Sequence, residues 1–435
     1  MDHDALVTES ESLARAGLDW MISSGVPVPG GVGWRSTPED DDEIDPTLYS
    51  GGAGVVLALL EGQQHFNDDR LGEAALSGAA GLASAVDDWE HCGLYFGKTG
   101  VAFALNAVGD LLGDDAAQRK ARTILDDVRR AFDGERWNVQ IELLGGNAGI
   151  ALGALALGDI ELAVLAVEPY LRLAETTAHG VTWEGKTGLV ARFHHISHGT
   201  LGIVSALAAV AKASGRGDLL DLALAGAADV VAREESGPSG FLVPHSDPQH
   251  RPELIERYSY GWCHGPAGDA QTFRLLHQVT GDQAWTGLVD RCWTTVTISG
   301  LPERRRPGFW DNNGRCCGTA GVLALSSDLT VENPDLAARN FADVLVDDLR
   351  QRATVDADGA RWSNVEHRVE PSSLVPQPGW AMGNAGIVRE LLRYVRLDSE
   401  QQAAYAVAWP DQPTSPTRAD GGQREAHHVD GDASS

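Results

Sequence analysis

Seven times along the chain a Gly-x-x-Gly motif opens an apolar run: GGAGVVLALL from Gly51, GKTGVAFAL from Gly97, GNAGIALGAL from Gly146, GTLGIVSALAAV from Gly199, GPAGDAQTFRLL from Gly265, GTAGVLALS from Gly318 and GNAGIVRELL from Gly383. The intervals are 46, 49, 53, 66, 53 and 65 residues. A period near 50 with variable insertions marks a repeat architecture, in which no single unit buries its apolar face alone. One such motif would be an ordinary turn; seven in phase constrain the whole chain.

A second helix-like segment precedes each glycine motif, at residues 4–23, 71–87, 115–132, 160–177, 217–235, 282–299 and 334–352. The sequence AAQRKARTILDDVRRAF has the mixed face of a solvent-facing helix, whereas the glycine-led runs are apolar nearly all round and belong inside. The prediction is an all-α chain folded as an α/α toroid, with seven outer helices around seven inner ones. Glycine is expected at the inner helix starts because the helices converge there, where a missing Cβ allows close approach and positive φ. Tryptophan-bearing stretches (RWNVQI, VTWEGKTGLVARFHHI, FLVPHS, RPGFWDNN, ARWSNVEHRV) read as short β-hairpins or ordered loops on one rim, where binding usually sits.

Length alone suggests about three domains, but the repeats argue for one, over residues 1–408. Residues 409–435, polar and rich in proline and glycine, read as a disordered acidic tail. His427 and His428 within it are assigned no function, and 37–47 reads as an exposed acidic loop. A net charge of −28 disfavours nucleic acid and anionic membranes as partners. The most apolar stretch, 150–171, is interrupted by Asp159, Glu161 and Glu168 and does not read as a membrane span. The acidic N-terminus does not read as a signal peptide. Five sparse cysteines fit cytoplasmic thiols or metal ligands better than a disulfide framework.

Three of those cysteines fall at two glycine motifs. GWCHGPAG carries Cys263, and RCCGTAG carries Cys316 and Cys317. In a ring these are matching rim positions on neighbouring repeats, so their thiols converge. Three protein ligands with one open position is the catalytic arrangement for zinc. A vicinal disulfide between Cys316 and Cys317 is the alternative, disfavoured in a reducing compartment. Cys92 and Cys292 read as buried small apolar residues. A zinc ion already carrying three thiolates is a poor Lewis acid for water, but an incoming thiol bound there as thiolate keeps much of its nucleophilicity. That favours sulfur alkylation over hydrolysis. His198, just before Gly199, and His264, after Cys263, are candidates to protonate a carbanion or take the thiol proton. His194 and His195 lack that register and read as core residues.

Taken in order, SHGTLG, GWCHGPAG and CCGTAG, with the seven glycine motifs, resemble the LanC-like family of lanthionine synthetase cyclases over residues 1 to about 397. The resemblance implies an α/α toroid with zinc at one end. It also implies addition of a peptide cysteine thiol to dehydroalanine or dehydrobutyrine, forming thioether rings in lanthipeptide biosynthesis. On matching positions, Cys263, Cys316 and Cys317 are the zinc ligands and His198 is the catalytic histidine. The family's usual Cys-His-Gly is here Cys316-Cys317-Gly318, a variant also found in bifunctional relatives with a fused dehydratase. The family aspartate before the third glycine motif is here Glu142, a candidate to act on His198 with a longer reach. Arg257 is the nearest match, out of register, to an arginine usual just before the first cysteine. The implied partner is a precursor peptide dehydrated by a separate protein, since no dehydratase domain fits in the chain. Two other readings remain: addition of a small thiol such as glutathione to dehydroamino acids in proteins, and a non-catalytic zinc-containing peptide-binding scaffold. Six-hairpin toroids host glycosidases with paired carboxylates; the seventh repeat and the three cysteines argue against that chemistry.

Overall fold

A computed structural model describes residues 3–38, 43–253, 255–303, 312–333, 336–365, 373–398 and 403–413. Its helices are numbered α1–α15 in chain order. The outer layer comprises α1 (His3–Ser23), α3 (Asp69–Ala85), α5 (Asp115–Arg130), α7 (Ile160–Val167) with the short α8 (Tyr170–Leu173), α10 (Gly217–Val231), α12 (Ala284–Ile298) and α14 (Leu336–Arg352). The inner layer comprises α2 (Gly52–Phe66), α4 (Lys98–Leu112), α6 (Asn147–Ala156), α9 (Thr200–Ser214), α11 (Pro266–Thr280), α13 (Thr319–Glu332) and α15 (Asn384–Val395). Each inner helix packs against the next, and α15 returns to α2, so the seven close a ring. The expected toroid is the observed fold.

Sequence pattern decides the layers. In α5 the buried side chains are Ala117, Ala121, Ile124, Leu125 and Val128, one stripe at helical spacing on an otherwise charged helix. In α4 the buried run from Thr99 to Leu105 is unbroken, because neighbours cover it on every side. The hairpins differ from expectation in one respect. Each inner helix pairs chiefly with the outer helix that follows it, and α1 pairs with α15, the last inner helix. The seventh hairpin therefore joins the first and the last of these helices. From α2–α3 to α11–α12 the five hairpin turns are two or three residues long, each with a left-handed residue (Asn67, Gly113, Gly158, Gly215 or Gly281), and in three of them an aspartate side chain caps the next helix. Gly113 has φ +73°, and the Asp114 carboxylate accepts the amides of Ala116 and Ala117 at 2.8 and 3.2 Å.

The long connections, from each outer helix to the next inner one, all lie at the other end and form the rim. Among the described residues they carry five two-stranded antiparallel sheets, including Val26–Val28 with Gly31–Gly33 and Thr354–Asp356 with Gly359–Arg361. The tryptophans have a shared task there. Trp34, Trp137, Trp183 and Trp362 each donate an indole N–H to a carbonyl at the end of an outer helix, on Met21, Val128, Tyr170 and Leu349. These four rim loops are thereby anchored to the helices they leave, and each buried or half-buried indole N–H finds an acceptor. Parts of RPGFWDNN and ARWSNVEHRV, and of the acidic loop, lie outside the described residues. No helix is long and apolar enough to cross a membrane among the described residues.

The glycine motifs confirm close approach and correct the backbone conformation. A Cβ on Gly100 would lie 2.0 Å from the Leu94 carbonyl oxygen, and one on Gly268 1.8 Å from that of Trp262. The first glycine of every motif caps its helix in an extended conformation, with φ between −117° and −159°. Packing selects glycine here; a left-handed backbone does not.

The expected boundary at 408/409 falls inside an ordered segment. Residues 403–413 run up the middle of the ring from the end opposite the rim. The Ala403 carbonyl accepts from Arg393 Nε (2.8 Å), the Ala406 amide donates to Glu61, and the Val407 carbonyl accepts from Arg389 Nη2 (2.8 Å). Trp409, 4% exposed, stacks on Trp380 with ring centres 5.0 Å apart. Trp409 to Pro413 belong to the packed structure, and the rest of the expected tail, with His427 and His428, lies outside the described residues.

Candidate metal centre

Where each rim loop enters its inner helix, the residue two before the first glycine occupies one place in a ring: Tyr49, Tyr95, Leu144, Ser197, Cys263, Cys316 and Ala381. Backbone hydrogen bonds join these places from repeat to repeat. The amides of Tyr49, Tyr95, Ser197, Cys263, Cys316 and Ala381 donate to the carbonyls of Tyr95, Leu144, Cys263, Cys316, Ala381 and Tyr49, at 2.8–3.2 Å. The seventh link, from Leu144 to Ser197, is replaced: the Leu144 amide donates to Glu142 Oε2 at 2.6 Å, and the Gly145 amide to Oε1 at 3.2 Å. A rigid backbone girdle thus carries the site, opened at the one seam where Glu142 and His198 face each other.

The girdle brings the three predicted cysteines together. Cys263 Sγ lies 3.1 Å from Cys317 Sγ, which lies 3.3 Å from Cys316 Sγ. All five cysteines are free and buried, and 263, 316 and 317 are the one cluster of potential metal ligands among the described residues. Sulfurs around a tetrahedral zinc with bonds of about 2.3 Å lie about 3.8 Å apart. Outward shifts of a few tenths of an ångström would admit the ion. The Tyr49 hydroxyl donates to Cys316 Sγ at 3.4 Å. Thiol hydrogen bonds from Cys263 and Cys317, reinforced by Tyr49, hold Cys316 well below the usual thiol range. The same hydrogen bonds, with burial, push Cys263 up. Cys316 thus gives up its proton readily, while Cys263 holds its own until a bound cation displaces it. The N-termini of the seven inner helices surround the site, and the positive ends of their dipoles favour negative charge.

On the adjoining repeats, Glu142 is 1% exposed, and its Oε2 lies 3.4 Å from His198 Nδ1. Burial pulls the His198 imidazole down, but the Glu142 carboxylate outweighs it and the net shift is upward. The His198 side chain stays 36% exposed, open to the rim. Its ring stacks on His264 with centres 5.6 Å apart. His264 is half-buried, and Ser197 Oγ lies 3.4 Å from its Nε2. Burial, with His245, His198 and His195 nearby, drives it well below the usual histidine range. His195 is wholly buried, its Nδ1 2.9 Å from both oxygens of Asp269. Arg257 pairs with Glu235 and Tyr258 at the surface and does not reach the thiols.

The motif register could have revealed two further residues. Tyr49 occupies the cysteine place in the first repeat. Arg315 stands where the other six repeats have Leu48, Leu94, Leu143, Ile196, Trp262 and Trp380.

Residues 42–251 and 249–346 match the family model described as lanthionine synthetase C-like protein. The chain belongs to that family. Among solved structures it is similar to nisin cyclase, with a TM-score of 0.61 and 14% identity over 84% of this chain and 91% of that one. The Lin0763 protein from Listeria innocua follows at a TM-score of 0.51 and 11% identity, covering 90% and 99% of the two chains. At such identities these likenesses speak for the fold. A search of curated proteins found no match.

Proposed function

We propose that this chain is a zinc-dependent lanthionine cyclase, which adds cysteine thiols of a dehydrated precursor peptide to its dehydroalanine or dehydrobutyrine residues. The convergence of Cys263, Cys316 and Cys317 beside the Glu142–His198 pair carries the reading. The three thiolates would hold the ion, which supplies a place where a substrate thiol binds as thiolate at neutral pH.

The chain's own residues do the proton work. The sulfur lone pair forms the S–Cβ bond, and the alkene π pair moves onto the neighbouring carbonyl as an enolate. His198 then delivers a proton from Nε2 to Cα, and the proton released by the thiol restores it. Nothing is gained or lost overall. Glu142, fixed by the Leu144 and Gly145 amides, accepts from His198 Nδ1–H and so aims Nε2 outward. His264, held in its neutral form, is the wall His198 stacks against rather than the donor.

The test uses a synthetic peptide with one dehydrobutyrine and one cysteine in ring-forming spacing. Zinc-loaded protein should remove the alkylatable thiol, with peptide mass unchanged, far faster than buffer does. A thiol count that falls no faster with enzyme than without it overturns the proposal.

A further inference from the structure

The segment at 403–413 does more than fill the ring. From Trp409 onward it presents polar atoms to the layer directly beneath the thiols. Trp409 Nε1 donates to the Tyr95 hydroxyl at 2.8 Å, and that hydroxyl donates to Asp411 Oδ2 at 2.8 Å. The Gln412 amide donates to Asp328 at 3.0 and 3.2 Å, and its Oε1 lies 3.4 Å from Arg315 Nη2. Asp411 is 7% exposed and Arg315 3%. A segment that only filled space would carry apolar side chains there, because burying a polar or charged group costs free energy unless it is bonded.

Two short paths lead from these side chains to Cys316. Along the first, Gln412 and Glu390 hold the Arg315 guanidinium, the latter at 2.9 Å, against the rings of Trp262 and Trp380. Arg315 precedes Cys316 and Trp262 precedes Cys263. Along the second, Trp409 and Asp411 fix the Tyr95 hydroxyl from both sides. The Tyr95 carbonyl accepts the Tyr49 amide at 3.0 Å, and the Tyr49 hydroxyl reaches Cys316 Sγ.

We infer that Trp409, Asp411 and Gln412 are positioning residues for the metal centre: the chain's C-terminal segment is threaded up the lumen to form the floor that sets the geometry of the Cys316–Cys317 turn. The inference rests on the reading that the three cysteines hold a metal. It also makes the site one-sided, so a peptide can approach only from the rim.

The test is metal binding by the full chain, read without turnover. Metal-free protein is titrated with Co2+, whose thiolate charge-transfer and d–d bands report coordination, and with Zn2+ against a chelator. Trp409→Ala, Asp411→Ala and Gln412→Ala should each weaken zinc about tenfold or more and alter the cobalt bands. Asp411→Asn, which keeps an acceptor for Tyr95, should restore the wild-type spectrum. Val128→Ala, a core truncation in α5 remote from the lumen, should lower stability without touching the spectrum. If Trp409→Ala does not fold, Trp409→Phe and Gln412→Ala carry the same comparison. Wild-type affinity and spectrum in the floor variants, with stability alone reduced, would overturn the inference. A wild-type protein that takes up neither metal would overturn the metal reading itself, and this inference with it.

Discussion

Replacing Glu142 by glutamine separates the two tasks of that residue. Its carboxylate accepts two backbone amides, at 2.6 and 3.2 Å, and faces His198 Nδ1 at 3.4 Å. Glutamine keeps one acceptor oxygen, but its NH2 must then turn toward a backbone amide or toward Nδ1–H, both donors. Losing one charge-assisted bond in a buried place costs about 1.5–3 kcal/mol. With an unfolding entropy of about 2.1 cal/mol/K per residue, a ring of this size loses only about 1 °C of Tm for each kcal/mol, so the variant folds and its chemistry is readable. The Glu142 charge keeps the His198 proton in place toward higher pH. Removing it lets that proton leave at lower pH. If His198 is the acid, the alkaline limb of the pH–rate profile moves to lower pH in Glu142→Gln. Turnover near neutrality should fall by about 10²-fold, short of the ~10⁴ seen when neutralising a partner carboxylate also imposes the wrong tautomer on a catalytic histidine. The assay is the rate of thiol loss from the dehydrobutyrine peptide across pH, with zinc content measured in parallel. An alkaline limb that stays where it was would refute the Glu142–His198 link.

Three other variants follow from the same geometry. His198→Asn should retain zinc and slow cyclisation by about 10²–10⁴-fold, the range for a general acid–base group; wild-type turnover would move the donor elsewhere. Cys317→His should keep zinc, since both residue types bind it at about 2.0–2.3 Å, but cyclise more slowly at neutral pH because the centre loses one negative charge; an equal or faster rate defeats that argument. Asp411 is raised to about 6, by burial first and then by the nearby Cys316, against the Tyr95 hydrogen bond and Arg315. An unfolded aspartate titrates near 3.9, so folding takes up a proton between the two values, and stability falls across that window by up to about 2–3 kcal/mol. Denaturant unfolding at pH 4.5 and pH 7 should show that decline in wild type and lack it in Asp411→Asn; parallel declines would refute it.

The repeats made the toroid legible because each glycine motif answers to one steric fact, a carbonyl lying where a Cβ would be. The same register located Cys263, Cys316, Cys317 and His198, since matching places in a ring must converge. What escaped was whatever depends on closure. That α1 pairs with α15 is a property of ring closure between elements far apart in sequence, invisible in local periodicity. Trp409 sits in a polar, proline-rich stretch whose composition argues for disorder, and only the lumen's buried groups, among them Glu61, Asp328 and Arg389, explain its place. Glu142 looked like a conservative change with altered reach. Its role in replacing the missing Leu144–Ser197 link could not be read without the girdle. Arg257 was the opposite case: a plausible charge near a cysteine in sequence, drawn away by Glu235.

The most direct test of the central claim is X-ray absorption at the zinc edge on freshly reduced protein, with metal content determined on the same sample. One zinc per chain is expected, with three sulfurs at about 2.3 Å and one lighter atom in the open place. Cys263→Ala and Cys316→Ala should abolish it while leaving helical content intact, because the ring's core does not depend on the ion. Protein without zinc, or a zinc shell without those three sulfurs, would contradict the account.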